Sequence, residues 1–216
     1  MKNTNNVKKT AVIGMLCALA FVFVLCIRIP IVLFLKYEPK DIIIAIGGFI
    51  YGPLGAAVIS LIVALIELVT ISDTGFIGFI MNFLSSAAFT VPAAFIYSKR
   101  KNLSGAIIGL FTGVLCVTAT MLLWNMLISP LYMKVTREEI MAMLPTMFLP
   151  FNFFKGMLNA TFTMLLYKPV VRILRKIKLL PAETGTRKNS VRSAVLITVT
   201  EIAVAALCVA AVIIIW

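Results

Sequence analysis

Apolar runs alternate with short polar breaks along almost the whole chain. Residues 11–27, 42–71, 76–97, 103–128 and 146–167 form stretches that reach or approach the length needed for a helix to cross a bilayer. The 42–71 run is broken by Gly52-Pro53-Leu54-Gly55, so it is either one tilted span or a helical hairpin. Charge decides between them. A single span would put Lys99-Arg100-Lys101 on the opposite side from Lys2, Lys8 and Lys9, whereas a hairpin puts both groups on one side, as cytoplasmic segments prefer. The pattern therefore predicts an all-α integral membrane bundle of six spans, with a first hairpin arm too short to cross the full hydrocarbon layer.

The breaks carry their own signals. Arg28-Ile29-Pro30 ends the first span, and the segment through Lys36-Tyr37-Glu38-Pro39-Lys40-Asp41 reads as a loop folding back over the bundle. Ser72-Asp73-Thr74-Gly75 reads as a tight turn, and residues 129–145 as a loop carrying Lys134, Arg137, Glu138 and Glu139. Arg172, Arg175, Lys176 and Lys178 make a basic exit from the sixth span. The chain thus divides into a six-span domain (1–178), a basic, polar linker (179–193) and an additional transmembrane helix (194–216). Residues 1–20 have the layout of a signal peptide, but Arg28 and Pro30 follow without a small-residue cleavage site, so a retained first helix is expected. Leu180-Pro181-Ala182-Glu183-Thr184-Gly185 has one residue too many for a sortase signal and falls on the expected cytoplasmic side.

Composition sharpens this picture. Of 216 residues 62% are hydrophobic, and the mean hydropathy is +1.08, which fits no soluble class. The net charge of +12 sits mainly in the inner segments, which hold fourteen of the 20 basic residues. That bias places the N-terminus in the cytoplasm of a multi-pass plasma-membrane protein in contact with anionic lipid, and it argues against a nucleic-acid partner. With no His, a His-based catalyst or metal site is excluded. Cys17, Cys26, Cys116 and Cys208 lie within apolar runs at unpaired spacings, as buried free thiols do. No phosphate-cradling loop, serine elbow or carboxylate pair is present, so no enzyme is expected.

Polar side chains inside the spans are costly and need a reason. Asn152, Lys155 and Asn159 fall on one helical face, spaced three and then four residues apart. An ammonium between two amides can serve a carbonyl-rich ligand. Equally, the lysine can snorkel to the interface while the amides bond neighbouring helices. Counted from the turns, Glu67, Asn82, Asn125, Asn152 and Lys155, with Asn159 near mid-depth, fall in one slab below the outer surface, and residues 36–41 can close over it. Phe34, Tyr37, Trp124, Phe151, Phe153 and Phe154 offer aromatic wall. In the first span Ala11, Gly14 and Ala18 form a small-residue strip that admits another helix closely.

These features together resemble the substrate-binding S components of energy-coupling factor (ECF) vitamin transporters, and within that family the riboflavin-specific members. The resemblance spans residues 8–178. It rests on the six-span layout, the strip in the first span, the segment 36–41, the entry Gly75-Phe76-Ile77-Gly78-Phe79 with Asn82, and Asn152-x-x-Lys155 preceded by Asn125. It implies an outward-facing pocket for riboflavin as transported ligand, with no cofactor. Asn125, Asn152 and Lys155 would meet the polar edge of the flavin ring, and Asn159, Asn82, Tyr37, Glu38 and Asp41 would complete the site. It also implies a transmembrane coupling protein, met through Ala11, Gly14 and Ala18, and two cytoplasmic ATPases. The family strip is usually alanine at both i and i+4, where Gly14 and Ala18 stand here, and the run at 194–216 departs from the family pattern. The alternatives are an S component for thiamine, biotin or another cofactor precursor, or a membrane scaffold without transport.

Overall fold

In the computed structural model, residues 2–32, 35–72, 74–133 and 135–176 are described. Helix α1 (Lys2–Cys26) leads into strands β1 (Ile29–Val32) and β2 (Leu35–Tyr37), followed by α2 (Lys40–Thr70), α3 (Gly75–Lys99) and α4 (Leu103–Met133). Then come α5 (Arg137–Met143), a π-helical turn (Leu144–Phe148) and α6 (Leu149–Lys176). Helices dominate because backbone N–H and C=O groups within lipid must pair inside their own segment.

Helix α2 doubles back on itself. Gly52 has φ 81° and ψ −177°, left-handed backbone that glycine adopts without strain, and Pro53 restarts the helix. Lys40 and Glu67, 27 positions apart, would be separated by about 40 Å on a straight helix. Their side chains meet at 2.6 Å. The arms press together at Gly48, where an added Cβ would lie 2.9 Å from that of Ala56.

Helix α1 seals one flank. Val12, Leu16, Cys17 and Ala20 are buried against Ile43, Ile44, Ile59 and Val63 of both α2 arms. Ala11, Gly14 and Ala18 lie on the opposite, exposed face, and a Cβ at Gly14 would meet nothing within 4 Å. The main core joins Phe49, Phe89, Ala93, Leu110, Val114 and Met121. Glycines let α4 approach α3: a Cβ at Gly109 would lie 2.6 Å from the Ala93 carbonyl oxygen, and Gly113 abuts Phe89 more closely still. Gly156 does the same for α6, with Val114 at 3.1 Å.

Several expectations are corrected here. Among the described residues five helices are long, and four are long and apolar enough to cross a membrane: Asn6–Cys26, Lys40–Thr70, Gly75–Lys99 and Leu103–Leu131. Six spans plus a seventh are not the count obtained. The first α2 arm has a rise of roughly 18 Å, short of a roughly 30 Å hydrocarbon layer. In α6 the amides and Lys155 dilute the apolar run. The linker and the 194–216 run lie outside the described residues. The all-α class holds, with one short hairpin beside the helices. β1 and β2 pair antiparallel, Ile29 opposite Tyr37, with an irregularity between Pro30 and Val32. The β-branched Ile29, Ile31 and Val32 favour extended backbone there. Nor is 129–145 simply a loop. Helix α4 continues through Pro130, and Thr136 caps α5 in a reciprocal box with Glu139. Cys26, expected buried, is exposed, while Cys17 is buried; both are free thiols, as is Cys116.

Candidate functional site

One cavity of about 470 Å³ opens where the β1–β2 hairpin, the α2–α3 turn, α4 and α6 converge. Its size is typical of sites for drug-sized ligands. Asn125 and Asn152 stand on one part of its wall with Lys155, and Asn82 and Glu67 on another, with Glu38 at the hairpin. Met81, Met121 and Phe151 supply apolar surface.

Each amide is fixed by its own helix. Asn125 is 2% exposed; its Nδ2 donates to the Met121 carbonyl at 2.7 Å, and its Oδ1 accepts from Ser129 Oγ at 2.8 Å. Asn152 donates to the Phe148 carbonyl at 2.7 Å, at the end of the π turn. Each Nδ2 carries two hydrogens, so a second donor remains on both amides, along with the Asn152 oxygen. Lys155 is half-buried and makes no hydrogen bond or ion pair among the described residues. The wall therefore presents several donors and an acceptor to one small region, held in place before any ligand arrives.

Beside that wall runs a buried ionic chain. Arg28 Nε meets Glu38 Oε1 at 2.9 Å, and Lys40 Nζ reaches Glu38 Oε2 at 3.3 Å and Glu67 Oε2 at 2.6 Å. Asn82 Nδ2 donates to the same Glu67 oxygen at 2.7 Å. Lys40 and Glu67 are each 2% exposed. Such a pair is tolerated only because every charge has a partner. The chain ties the hairpin to α2 and α3. Burial raises the pKa of the Glu38 carboxyl, but the opposing charges of Lys40, Lys155 and Arg28 outweigh it, so the group lies below the ordinary carboxylate range.

Three residues expected at the ligand are elsewhere. Tyr37, Asp41 and Asn159 are not on the cavity wall. Tyr37 donates from its hydroxyl to Asn159 Oδ1 at 3.0 Å, and Asn159 Nδ2 donates to Asp41 Oδ2 at 3.2 Å. Ser86 donates to the other Asp41 oxygen at 2.5 Å. Their polar atoms satisfy one another, locking the base of the hairpin onto α3 and α6. Burial first, then the Asp41 charge, push the Tyr37 hydroxyl far above the usual phenol range. Of the expected aromatic wall, Phe151 lines the cavity, while Trp124 and Phe153 pack on the main core. Phe154 meets Phe153 edge to face, and Phe34 lies outside the described residues.

Sequence reasoning missed wall positions too. Arg28 reads as a helix terminator, Ser72 and Thr74 as turn residues, and Ser85 carries no reading at all, yet all line the cavity, as does Lys36 of the segment expected to close over it. Position is the signal for Arg28, Ser72 and Thr74, which lie at the bundle end where the amides gather, whereas Ser85 is ten residues into α3. Met81, Met121 and Met133 carry no polar signal at all.

Comparison with known proteins agrees with this geometry. A family model described as "ECF transporter, substrate-specific component" matches residues 8–167. The riboflavin transporter FmnP of Bacillus subtilis (strain 168) is 28% identical over 175 residues, 75% of this chain and 92% of that protein. The riboflavin transporter RibU of Staphylococcus aureus (strain TCH60) is 26% identical over 185 residues, 81% of this chain and 96% of that protein. A solved structure described as the S component of a bacterial ECF transporter superposes with a TM-score of 0.64 at 24% identity. It covers 81% of this chain and 99% of its own, a likeness of fold. With the family model spanning most of its length, from the start of the first span to the body of α6, this chain belongs to the substrate-specific components of ECF transporters.

Proposed function

We propose that this chain captures riboflavin for import across the plasma membrane. The observation that carries the reading is that Asn125 of α4 and Asn152 and Lys155 of α6 all line a single cavity. The polar edge of a flavin ring presents carbonyls and a ring N–H, and two amides and an ammonium complement it group for group. Met121 and Phe151 give the apolar surface that a flat ring needs. The two relatives named as riboflavin transporters support the same ligand.

In this reading the chain binds and releases; it catalyses nothing. ATP hydrolysis belongs to two cytoplasmic ATPases joined through a transmembrane coupling protein. The exposed strip Ala11, Gly14 and Ala18 is the contact for that protein, because small side chains let a second helix come close. The cavity faces outward, the N-terminus is cytoplasmic, and the two α2 arms count as separate segments, giving six.

Titration of purified protein with riboflavin, thiamine and biotin tests the assignment. Quenching of flavin fluorescence that saturates at one equivalent, undisturbed by excess thiamine or biotin, is expected. Displacement by either vitamin, or no quenching, rules riboflavin out.

A further inference from the structure

Three thioethers border the cavity: Met81 on α3, and Met121 and Met133 on α4. Met121 is only 7% exposed and belongs to the main core, and Met81 packs beside it. Met133 packs on a second apolar cluster of Ile140, Met147 and Phe148. Other methionines are more open but away from the cavity: Met141 is 56% exposed, Met15 40% and Met126 37%. An oxidant arriving from solution would therefore strike Met141 first, since Met15 and Met126 lie within the membrane-crossing helices α1 and α4. An oxidant generated inside the cavity would reverse that order.

We propose that Met81, Met121 and Met133 form a photo-oxidation site, converted to sulfoxides in light by the flavin held among them. The proposal rests on the riboflavin reading above. An isoalloxazine absorbs blue light, and its excited state passes energy to dioxygen without exchanging electrons. The resulting singlet dioxygen adds to the Sδ lone pair of one methionine. A second thioether takes the terminal oxygen. The O–O bond breaks and two S–O bonds form. Each sulfur gives up two electrons, each oxygen atom gains two, no proton moves, and the flavin returns unchanged. Met81 packs on the core cluster that contains Met121, and both line the cavity, so this pair supplies the second acceptor that the stoichiometry requires. A sulfoxide turns a flexible apolar side chain into a polar one, which spoils the apolar part of the wall. Illumination thus switches off capture of the ligand that sensitises it, and methionine sulfoxide reductases reverse the change.

The test uses full-length protein in detergent. Riboflavin is first titrated in the dark. The loaded protein is then illuminated in air, and oxygen uptake at each methionine is followed by peptide mass spectrometry. A parallel sample is illuminated with a soluble sensitising dye that the protein does not bind. With riboflavin, Met81, Met121 and Met133 should gain oxygen before Met15, Met126 and Met141, and binding should fall in step and return after reductase treatment. With the dye Met141, exposed and outside the membrane-crossing helices, should gain oxygen before the three cavity methionines. A Met81→Leu/Met121→Leu/Met133→Leu variant should lose no affinity to light relative to its own dark control. Dark binding followed by exposure-ordered oxidation, or light-driven loss of binding without oxidation at these three, overturns the proposal alone. Absence of dark binding removes the riboflavin reading and this proposal with it.

Discussion

Replacing Lys155 with Met asks whether the ammonium serves the ligand. Methionine keeps most of the stem and removes the charge and its donors. Among the described residues Lys155 makes no hydrogen bond or ion pair to give up, only a longer-range attraction to Glu38, so a ligand acceptor would receive its hydrogen bond nearly at full value. A hydrogen bond to a charged group contributes about 1.5–3 kcal/mol. At 1.4 kcal/mol per decade, riboflavin affinity should fall roughly ten- to a hundredfold. Folding should survive, because Glu38 keeps Arg28 at 2.9 Å and Lys40 at 3.3 Å. Asn152→Leu should weaken binding in the same direction. The double variant should lose less than the sum, since both residues would address one ring edge. Isothermal titration of the two single variants and the double in detergent measures all three. Unchanged affinity in a folded Lys155→Met would refute the reasoning and leave Lys155 as a counter-charge for Glu38.

Other expectations follow from the same geometry. Gly14→Leu or Ala18→Leu should abolish uptake in cells while purified protein still binds riboflavin, because the strip faces outward and Gly14 has open space around it; joint loss of binding and expression would make the strip internal packing. Lys40→Met should lower stability by about 3–5 kcal/mol by stranding Glu67, and Lys40→Met/Glu67→Gln should recover part of it in thermal unfolding. Glu38 has a folded pKa below its ordinary 4.5, so its stabilisation is complete above that value and fades as pH falls through the depressed one. Glu38→Gln should therefore flatten the acid side of the stability profile, and an unchanged profile would argue against the ion-pair account. Deleting residues 181–216 should leave riboflavin affinity unchanged, since every wall residue precedes Gly156; a large loss in a folded truncation would tie the tail to the bundle.

Much of the architecture can be read from pattern because lipid imposes strict rules. The α2 hairpin followed from charge placement, and the 2.6 Å contact of Lys40 with Glu67 is its physical expression. The gathering of Asn82, Asn125, Asn152 and Lys155 followed from counting rise per residue. What escaped depended on pairing that spacing does not encode. Asn159 shares a helical face with Lys155, yet Lys155 lines the cavity while Asn159, one turn on, bonds Tyr37 and Asp41. Gly109 and Gly113, four residues apart, carry the same small-residue signal as the α1 strip, and they bring α4 against α3. Thr136-Arg137-Glu138-Glu139 is a capping box in plain sequence, and reading it as loop missed α5. The cavity methionines were invisible because a thioether on a wall and a thioether in a core look alike in one dimension.

The most direct measurement is an experimental structure of the full chain with riboflavin at saturating concentration. The account predicts a tricyclic ring in the cavity, its carbonyl-bearing edge within hydrogen-bonding distance of Asn125, Asn152 and Lys155. A ring turned with that edge away from all three, or density for riboflavin anywhere but this cavity, would contradict it.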